Sequence, residues 1–124
     1  MRCCECASVG HVLCATSLFF LVPALAMHEA SPLRSLLLLL VVASVANHLT
    51  HHPLAKACDM VIVRAAIMHA IIVRNCKMNA VSWACVVAVC ALYFTPAFRE
   101  GGRNAVFAHA CIHAWGAVGF YAVA

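Results

Sequence analysis

The sequence predicts an all-α protein, a polytopic membrane helix bundle with a single transmembrane domain over residues 1–124. Its composition is the first reason, because 66% of the residues are hydrophobic and only 10% are charged, whereas soluble domains are about half apolar and a quarter charged. The second reason is that the apolar residues fall into about five runs, each near the roughly 20 residues that a helix needs to cross a bilayer. In lipid each helix satisfies its own backbone hydrogen bonds, so a bundle of such helices is the expected fold.

The predicted helices cover residues 9–27, 33–49, 54–73, 78–94 and 105–124. Pro32 and Pro53 stand in the short breaks before the second and third helices, where turn signals are expected. The first run ends in Ala24-Leu25-Ala26, a small-residue sequence that is also typical of a signal peptide cleavage site. Pro23 inside this run, and the apolar run that follows almost at once, favour a helix that is retained. Both interpretations of residues 1–26 stay open.

The charged residues and the cysteines narrow the class of protein further. The net charge of +4 is spread over the breaks and does not form Lys/Arg clusters, so nucleic acid is not an expected partner. Most of the nine cysteines lie inside the apolar runs, where cysteine behaves as a small hydrophobic residue. We therefore expect mostly reduced cysteines in a multi-pass membrane protein.

Ionisable residues inside membrane helices are costly and are candidates for function. His48 lies near the end of the second predicted helix, and Asp59 lies near the start of the third. His109 and His113 lie in the first half of the fifth. Because successive helices cross in alternating directions, all four residues fall at one level, toward the same side of the membrane. The sequence thus predicts a polar site at that level.

The spacing of these residues indicates a metal site. His109 and His113 are four residues apart, so both imidazoles project from one helix face, and Ser44 shares a face with His48 by the same rule. Three histidines from two helices can supply the three protein ligands of a catalytic zinc, which leaves the fourth position for water. Asp59 can hold or deprotonate that water.

Other interpretations of the same residues stay open. The polar side chains can simply link helices in a small structural or accessory membrane subunit, with Asp59 paired to Lys56 or Arg64. In a b-type haem carrier, His48 and one histidine of the last helix would ligate the iron. The remaining histidines are predicted to be loop, structural or peripheral residues: His11, His28, His51, His52 and His69.

Three separated motifs carry a resemblance to a known family. They are the SVANH sequence of residues 44–48, Asp59 eleven residues after His48, and the HACIH sequence of residues 109–113. This pattern resembles the alkaline ceramidases of the CREST superfamily of membrane hydrolases, with SxxxH in the second helix, Asp opening the third and HxxxH in the last. The interval of fifteen residues from Ser44 to Asp59 is similar to that of ceramidases. The HPLAK sequence of residues 52–56 is similar to a loop of haemolysin III proteins, so the haemolysin III and progestin/adipoQ receptor branch is the second resemblance.

The resemblance implies a function and a role for each residue. Zinc would be bound by His48, His109 and His113, with Asp59 as the general base that later protonates the leaving amine. Ser44 would hydrogen-bond Asp59 or the developing oxyanion. The implied substrate is a ceramide-like lipid amide, from which fatty acid is released.

The resemblance also implies a difference in size. The family has seven membrane helices and this chain has room for five, so it is expected to be a reduced version of the bundle. Loss of two helices keeps the count odd, so the last helix still starts on the side where the other site residues lie. Fewer helices enclose less of the cavity that would hold an acyl chain, and assembly into a homo-oligomer is one way to complete that cavity.

Overall fold

The computed structural model describes residues 3–96 and 102–124, and these residues form helices and turns without a strand. The helices are α1 Cys3–Ser17, α2 Leu21–Ala26, α3 Pro32–Thr50, α4 Pro53–Val73, α5 Ala80–Phe94 and α6 Gly102–Tyr121. The all-α prediction is thereby confirmed for the described part of the chain. Residues 1, 2 and 97–101 of the predicted domain lie outside it.

The first predicted helix is interrupted. A 3-10 turn, Leu18–Phe20, separates α1 from α2, where the sequence predicted one helix over residues 9–27. Pro23 explains the interruption, because proline has no backbone N–H and its ring clashes with the carbonyl of the residue four positions earlier. The backbone therefore changes from α-helix to 3-10 helix just before Pro23, and the chain continues as the short helix α2.

Proline and histidine residues set the boundaries of α3 and α4. Pro32 and Pro53 each stand in the first turn of a helix, where the missing N–H has no intrahelical partner to lose. His51 ends α3 in the left-handed conformation, with φ of 51°. His52 then caps α4, because its Nδ1 accepts a hydrogen bond from the N–H two residues later at 3.2 Å. This short turn brings the end of α3 beside the start of α4, and the two helices pack together.

The order of the packed helices places α1 and α2 at the centre, between α3 and α6. Helix α3 packs against α4 on one side and against α1 and α2 on the other, while α1 and α2 also pack against α6, and α6 against α5. The buried apolar core comes from these contacts: Phe20, Ala24, Met27, Leu33, Leu37, Leu40, Val41, Ala66, Ala70, Ala117, Phe120 and Val123. Helices α4 and α5 lie at the two ends of this order.

One face of α3 is buried along its whole length. Its buried residues are spaced three or four apart, as one face of a helix requires: Leu33, Leu37, Leu40, Val41, Ser44 and His48. The apolar residues of this face pack in the core. The polar residues Ser44 and His48 extend the same face toward the C-terminal end of the helix. Ser44 and His48 are therefore held inside the bundle by the same packing that buries the leucines.

Glycines allow two close helix contacts. A Cβ atom at Gly10 would lie 3.1 Å from the carbonyl oxygen of His48, and one at Gly119 would lie 3.0 Å from Cβ of Cys85. Small residues at such positions let helix backbones approach closely. Gly10 thus brings α1 against the end of α3, where His48 is located.

One helix among the described residues is long and apolar enough to cross a membrane, namely α3, with a mean hydropathy of 1.6. Two shorter apolar helical segments are Gly10–Ala26 and Ala80–Phe94. Helix α4 is long enough, but it carries Lys56, Asp59 and Arg64. Length and composition would allow α3 to cross a membrane, as they would for the core helix of a soluble protein, and the five-crossing, multi-pass topology stays a prediction.

Arg74, at the end of α4, joins three parts of the chain. Its guanidinium donates to the Val123 carbonyl oxygen at 2.9 Å and to the Ala124 carbonyl oxygen at 3.3 Å. It also donates to the Ser31 hydroxyl, just before α3, at 2.9 Å. Because arginine has five N–H donors in a fixed plane, one side chain can hold all three acceptors together.

Replacing Arg74 with methionine is expected to lower the free energy of unfolding by about 1–3 kcal/mol, since the apolar stem is kept while bonds from a charged donor are lost. Thermal unfolding of the purified protein in detergent, followed by circular dichroism, measures this change. Arg64→Met is the matched control, because Arg64 is an exposed arginine on the same helix. An equal loss in both variants would contradict a specific role for Arg74.

Candidate metal centre

Three histidines from α3 and α6 meet inside the bundle. The ring centroids of His48 and His109 are 4.9 Å apart, those of His109 and His113 are 4.7 Å apart, and those of His48 and His113 are 5.6 Å apart. One ring nitrogen from each lies within 4.8 Å of the other two. The structure thus brings together the three residues that the sequence predicted as metal ligands, which we call the histidine cluster.

The burial of the cluster leaves one nitrogen without a partner. His48 and His113 are each only 6% exposed, and His109 is half-buried. Nε2 of His48 is fully buried and has no hydrogen-bond partner among the described residues. A buried polar atom without a partner costs about 1–3 kcal/mol, and buried polar groups are rarely left in this state. This nitrogen is therefore the atom of the cluster that most needs a ligand.

The donor set fits zinc. Neutral imidazole nitrogen is a preferred ligand of zinc, at about 2.0–2.1 Å, and catalytic zinc sites use three protein ligands with one open position. In a tetrahedral site such nitrogens are about 3.3 Å apart, and those of the histidine cluster lie within 4.8 Å of one another. The unpartnered His48 nitrogen and the three-nitrogen donor set are together suited to holding a metal ion, and their chemistry is compatible with zinc.

Asp59 reaches the buried face of α3 from α4. Its Oδ2 accepts a hydrogen bond from Nδ2 of Asn47 at 2.9 Å, and Asn47 directly precedes His48 in the sequence. Ser44 is one helical turn before His48, and side chains at that spacing are about 5–6 Å apart. Asp59 is therefore linked to α3 through Asn47, the residue before His48. Among the described residues it forms no ion pair with Lys56 or Arg64.

Helix α1 supplies two hydroxyl groups that the sequence analysis missed. Thr16 Oγ1 lies 2.9 Å from Nδ1 of His113, and Ser17 Oγ lies 3.0 Å from Oγ of Ser44. Asn47, the partner of Asp59, was also missed. The only signal in the sequence is a pair of adjacent hydroxyl residues within an apolar run, a residue type that often lies at contacts between apolar helices.

An aromatic side chain covers the cluster. The ring of Phe20 contacts His113 edge to face, with centroids 5.7 Å apart, and contacts Phe120 in the same way at 6.1 Å. Phe20 is buried and belongs to the apolar core, so its ring connects His113 to that core. The other histidines do not belong to the cluster: His11, His28, His51 and His52 are exposed, and His69 is half-buried on α4.

Comparisons with models of protein families, with curated proteins and with solved structures found no match to this chain. The resemblance to alkaline ceramidases therefore depends on the three motifs alone. The function of the chain must therefore be inferred from the geometry and chemistry of the histidine cluster and its neighbours.

Proposed function

We propose that this chain is a zinc-dependent, multi-pass membrane hydrolase of lipid amides, similar to a ceramidase. The observation that carries the proposal is the buried Nε2 of His48, which has no partner and lies in a cluster of three histidines from two helices. The carboxyl group of Asp59, hydrogen-bonded to Asn47 on the same helix as His48, adds the acid–base group that amide hydrolysis requires.

The proposed roles follow from these positions. His48, His109 and His113 would hold a zinc ion, which when bound polarises the substrate carbonyl and activates a water molecule at neutral pH. Asp59 accepts a proton from the attacking water and returns it to the leaving nitrogen as the C–N bond breaks. The products are a fatty acid and an amine, which for a ceramide is the sphingoid base.

Asn47 and Ser44 would position Asp59 for both proton transfers. Asn47 donates to one carboxylate oxygen at 2.9 Å, which fixes the plane of the carboxyl group. Ser44, which is buried between α1 and α3, contacts the Ser17 hydroxyl at 3.0 Å, so its own position is held. General acid–base catalysis depends on such placement, because the group must stay within hydrogen-bond reach of the proton that it transfers.

The outer surface supports a lipid environment and a lipid substrate. Large apolar side chains are exposed on every long helix, among them Val42, Leu49, Ile72, Val87 and Trp115. Exposed apolar surface of this extent is typical of a membrane or partner contact. An open apolar groove of about 390 Å³ between α2 and α6 is lined by Ala114, the residue after His113, and by Tyr121 farther along α6. We assign the acyl chain of the substrate to this groove.

The ring contacts weigh against haem binding. The His48 ring contacts His109 edge to face at 4.9 Å, so no porphyrin fits between them, whereas axial ligands of a haem stand on opposite sides of its plane. A structural or accessory subunit, and a non-hydrolytic relative of the haemolysin III and adipoQ receptor proteins, are outcomes that the following experiment separates. A homo-oligomer remains part of the proposal, as a way to complete the wall of the substrate site.

Metal content by mass spectrometry tests the proposal directly. The detergent-purified wild type is expected to contain about one zinc ion per chain, and His109→Ala is expected to lose it because three nitrogen ligands become two. His69→Ala, a histidine on α4 outside the cluster, is the matched control and should keep the zinc. A folded wild type without zinc would rule out the proposed site and leave the structural subunit as the explanation. Zinc without hydrolysis of ceramides would instead favour the receptor-like alternative.

A further inference from the structure

The Thr16 hydroxyl connects α1 to the histidine cluster. Thr16 Oγ1 donates to the Leu13 carbonyl oxygen at 3.0 Å and lies 2.9 Å from Nδ1 of His113. A hydroxyl group has one proton to donate and lone pairs with which to accept. With that proton donated to Leu13, the second hydrogen bond requires Nδ1 of His113 as the donor and Thr16 as the acceptor.

We propose that Thr16 is a positioning residue that keeps His113 in the tautomer with its proton on Nδ1, an inference that rests on the proposed zinc site. A neutral imidazole has one protonated nitrogen and one with a free lone pair. With the proton held on Nδ1 by Thr16, the lone pair is on Nε2 and is available to zinc. Histidine ligands of metals usually donate their other N–H to an oxygen in this way, which fixes both the tautomer and the direction of the ring.

The Leu13 carbonyl keeps the Thr16 hydroxyl in the accepting role. Serine and threonine in helices commonly donate to a carbonyl three or four residues earlier, and Ser17 donates to the same Leu13 oxygen at 2.8 Å. Ser17 in turn contacts Ser44 at 3.0 Å. One carbonyl of α1 therefore accepts hydrogen bonds from Thr16, which lies beside His113, and from Ser17, which lies beside Ser44.

Zinc affinity of three variants tests the inference. Thr16→Val removes the hydroxyl with little change in shape and is expected to weaken zinc binding about 10–100-fold, the usual effect of losing such a supporting hydrogen bond. Thr16→Ser keeps the hydroxyl and should bind zinc about as tightly as the wild type. Thr95→Val is the matched control, because Thr95 donates to the Leu92 carbonyl at 2.7 Å from the end of α5. The dissociation constants are measured by competition with a chelator of known affinity.

Nitrogen-15 NMR of the ring nitrogens gives a second, independent measurement in the metal-free protein. His113 is expected to be protonated on Nδ1 in the wild type and to become a mixture of tautomers in Thr16→Val. A wild type protonated on Nε2, or a Thr16→Val variant that binds zinc as tightly as the wild type, would overturn the role of Thr16 while leaving the zinc site in place. A wild type that binds no zinc would overturn both proposals.

Discussion

Replacing Asp59 with asparagine is expected to lower kcat for lipid amide hydrolysis about 10²–10⁴-fold, the usual contribution of a positioned general acid–base group. Asparagine has nearly the same shape and can still accept a hydrogen bond from Asn47, but it cannot take up or return a proton. Zinc should stay bound, because the proposed ligands are the three histidines and not Asp59.

Two measurements on each variant make this result specific. Hydrolysis of a ceramide in detergent micelles gives kcat and KM, and mass spectrometry gives the zinc content. Glu29→Gln is the matched control, since Glu29 is an exposed carboxylate paired with Arg34 at 3.8 Å, and its removal should leave kcat unchanged. If Asp59→Asn kept the full kcat, Asp59 would have no part in proton transfer. If it lost zinc as well, Asp59 would be a ligand and the assignment of roles would be wrong.

The parts of the fold that could be predicted from sequence are those set by local chemistry. Pro32 and Pro53 mark the starts of α3 and α4, and these helices begin and end within one residue of the prediction. Likewise the pairing of His109 with His113 is a property of any helix, because residues four apart share a face. Burial of His48 follows from its place on the buried face of α3.

The parts that could not be predicted depend on which helices become neighbours. Thr16 and His113 are 97 residues apart in the sequence, and no periodicity within α1 indicates that it will pack against α6. The close approach at Gly10 likewise has no meaning until the opposing backbone is known. The interruption of the first helix could have been predicted, because Pro23 stands inside the apolar run. Hydropathy alone does not show that a proline interrupts a helix.

Replacing His48 with leucine is expected to change the stability of the protein in opposite directions with and without zinc. In the metal-free protein, wild-type Nε2 is buried without a partner, which costs about 1–3 kcal/mol. Leucine has a similar volume and no polar atom, so metal-free His48→Leu should melt at a higher temperature than the metal-free wild type.

Excess zinc should reverse the order of the two melting temperatures. A ligand that binds only the folded state adds about 4 kcal/mol at a free concentration 1,000 times its dissociation constant. The wild type gains that stabilisation, while His48→Leu retains only two histidines of the cluster and gains little. The wild type should therefore melt above the variant when zinc is in excess, and the two melting curves should exchange places as zinc is added.

Thermal unfolding in detergent, with a chelator or with excess zinc, measures both effects in one series. His11→Leu is the matched control, because His11 is exposed on α1, and its response to zinc should equal that of the wild type. A metal-free variant that melts below the wild type would show that His48 is already satisfied inside the bundle. The same zinc response in His48→Leu and wild type would place any bound metal elsewhere. The melting temperatures are expected to change order only if the buried Nε2 of His48 destabilises the metal-free protein and is needed to bind zinc.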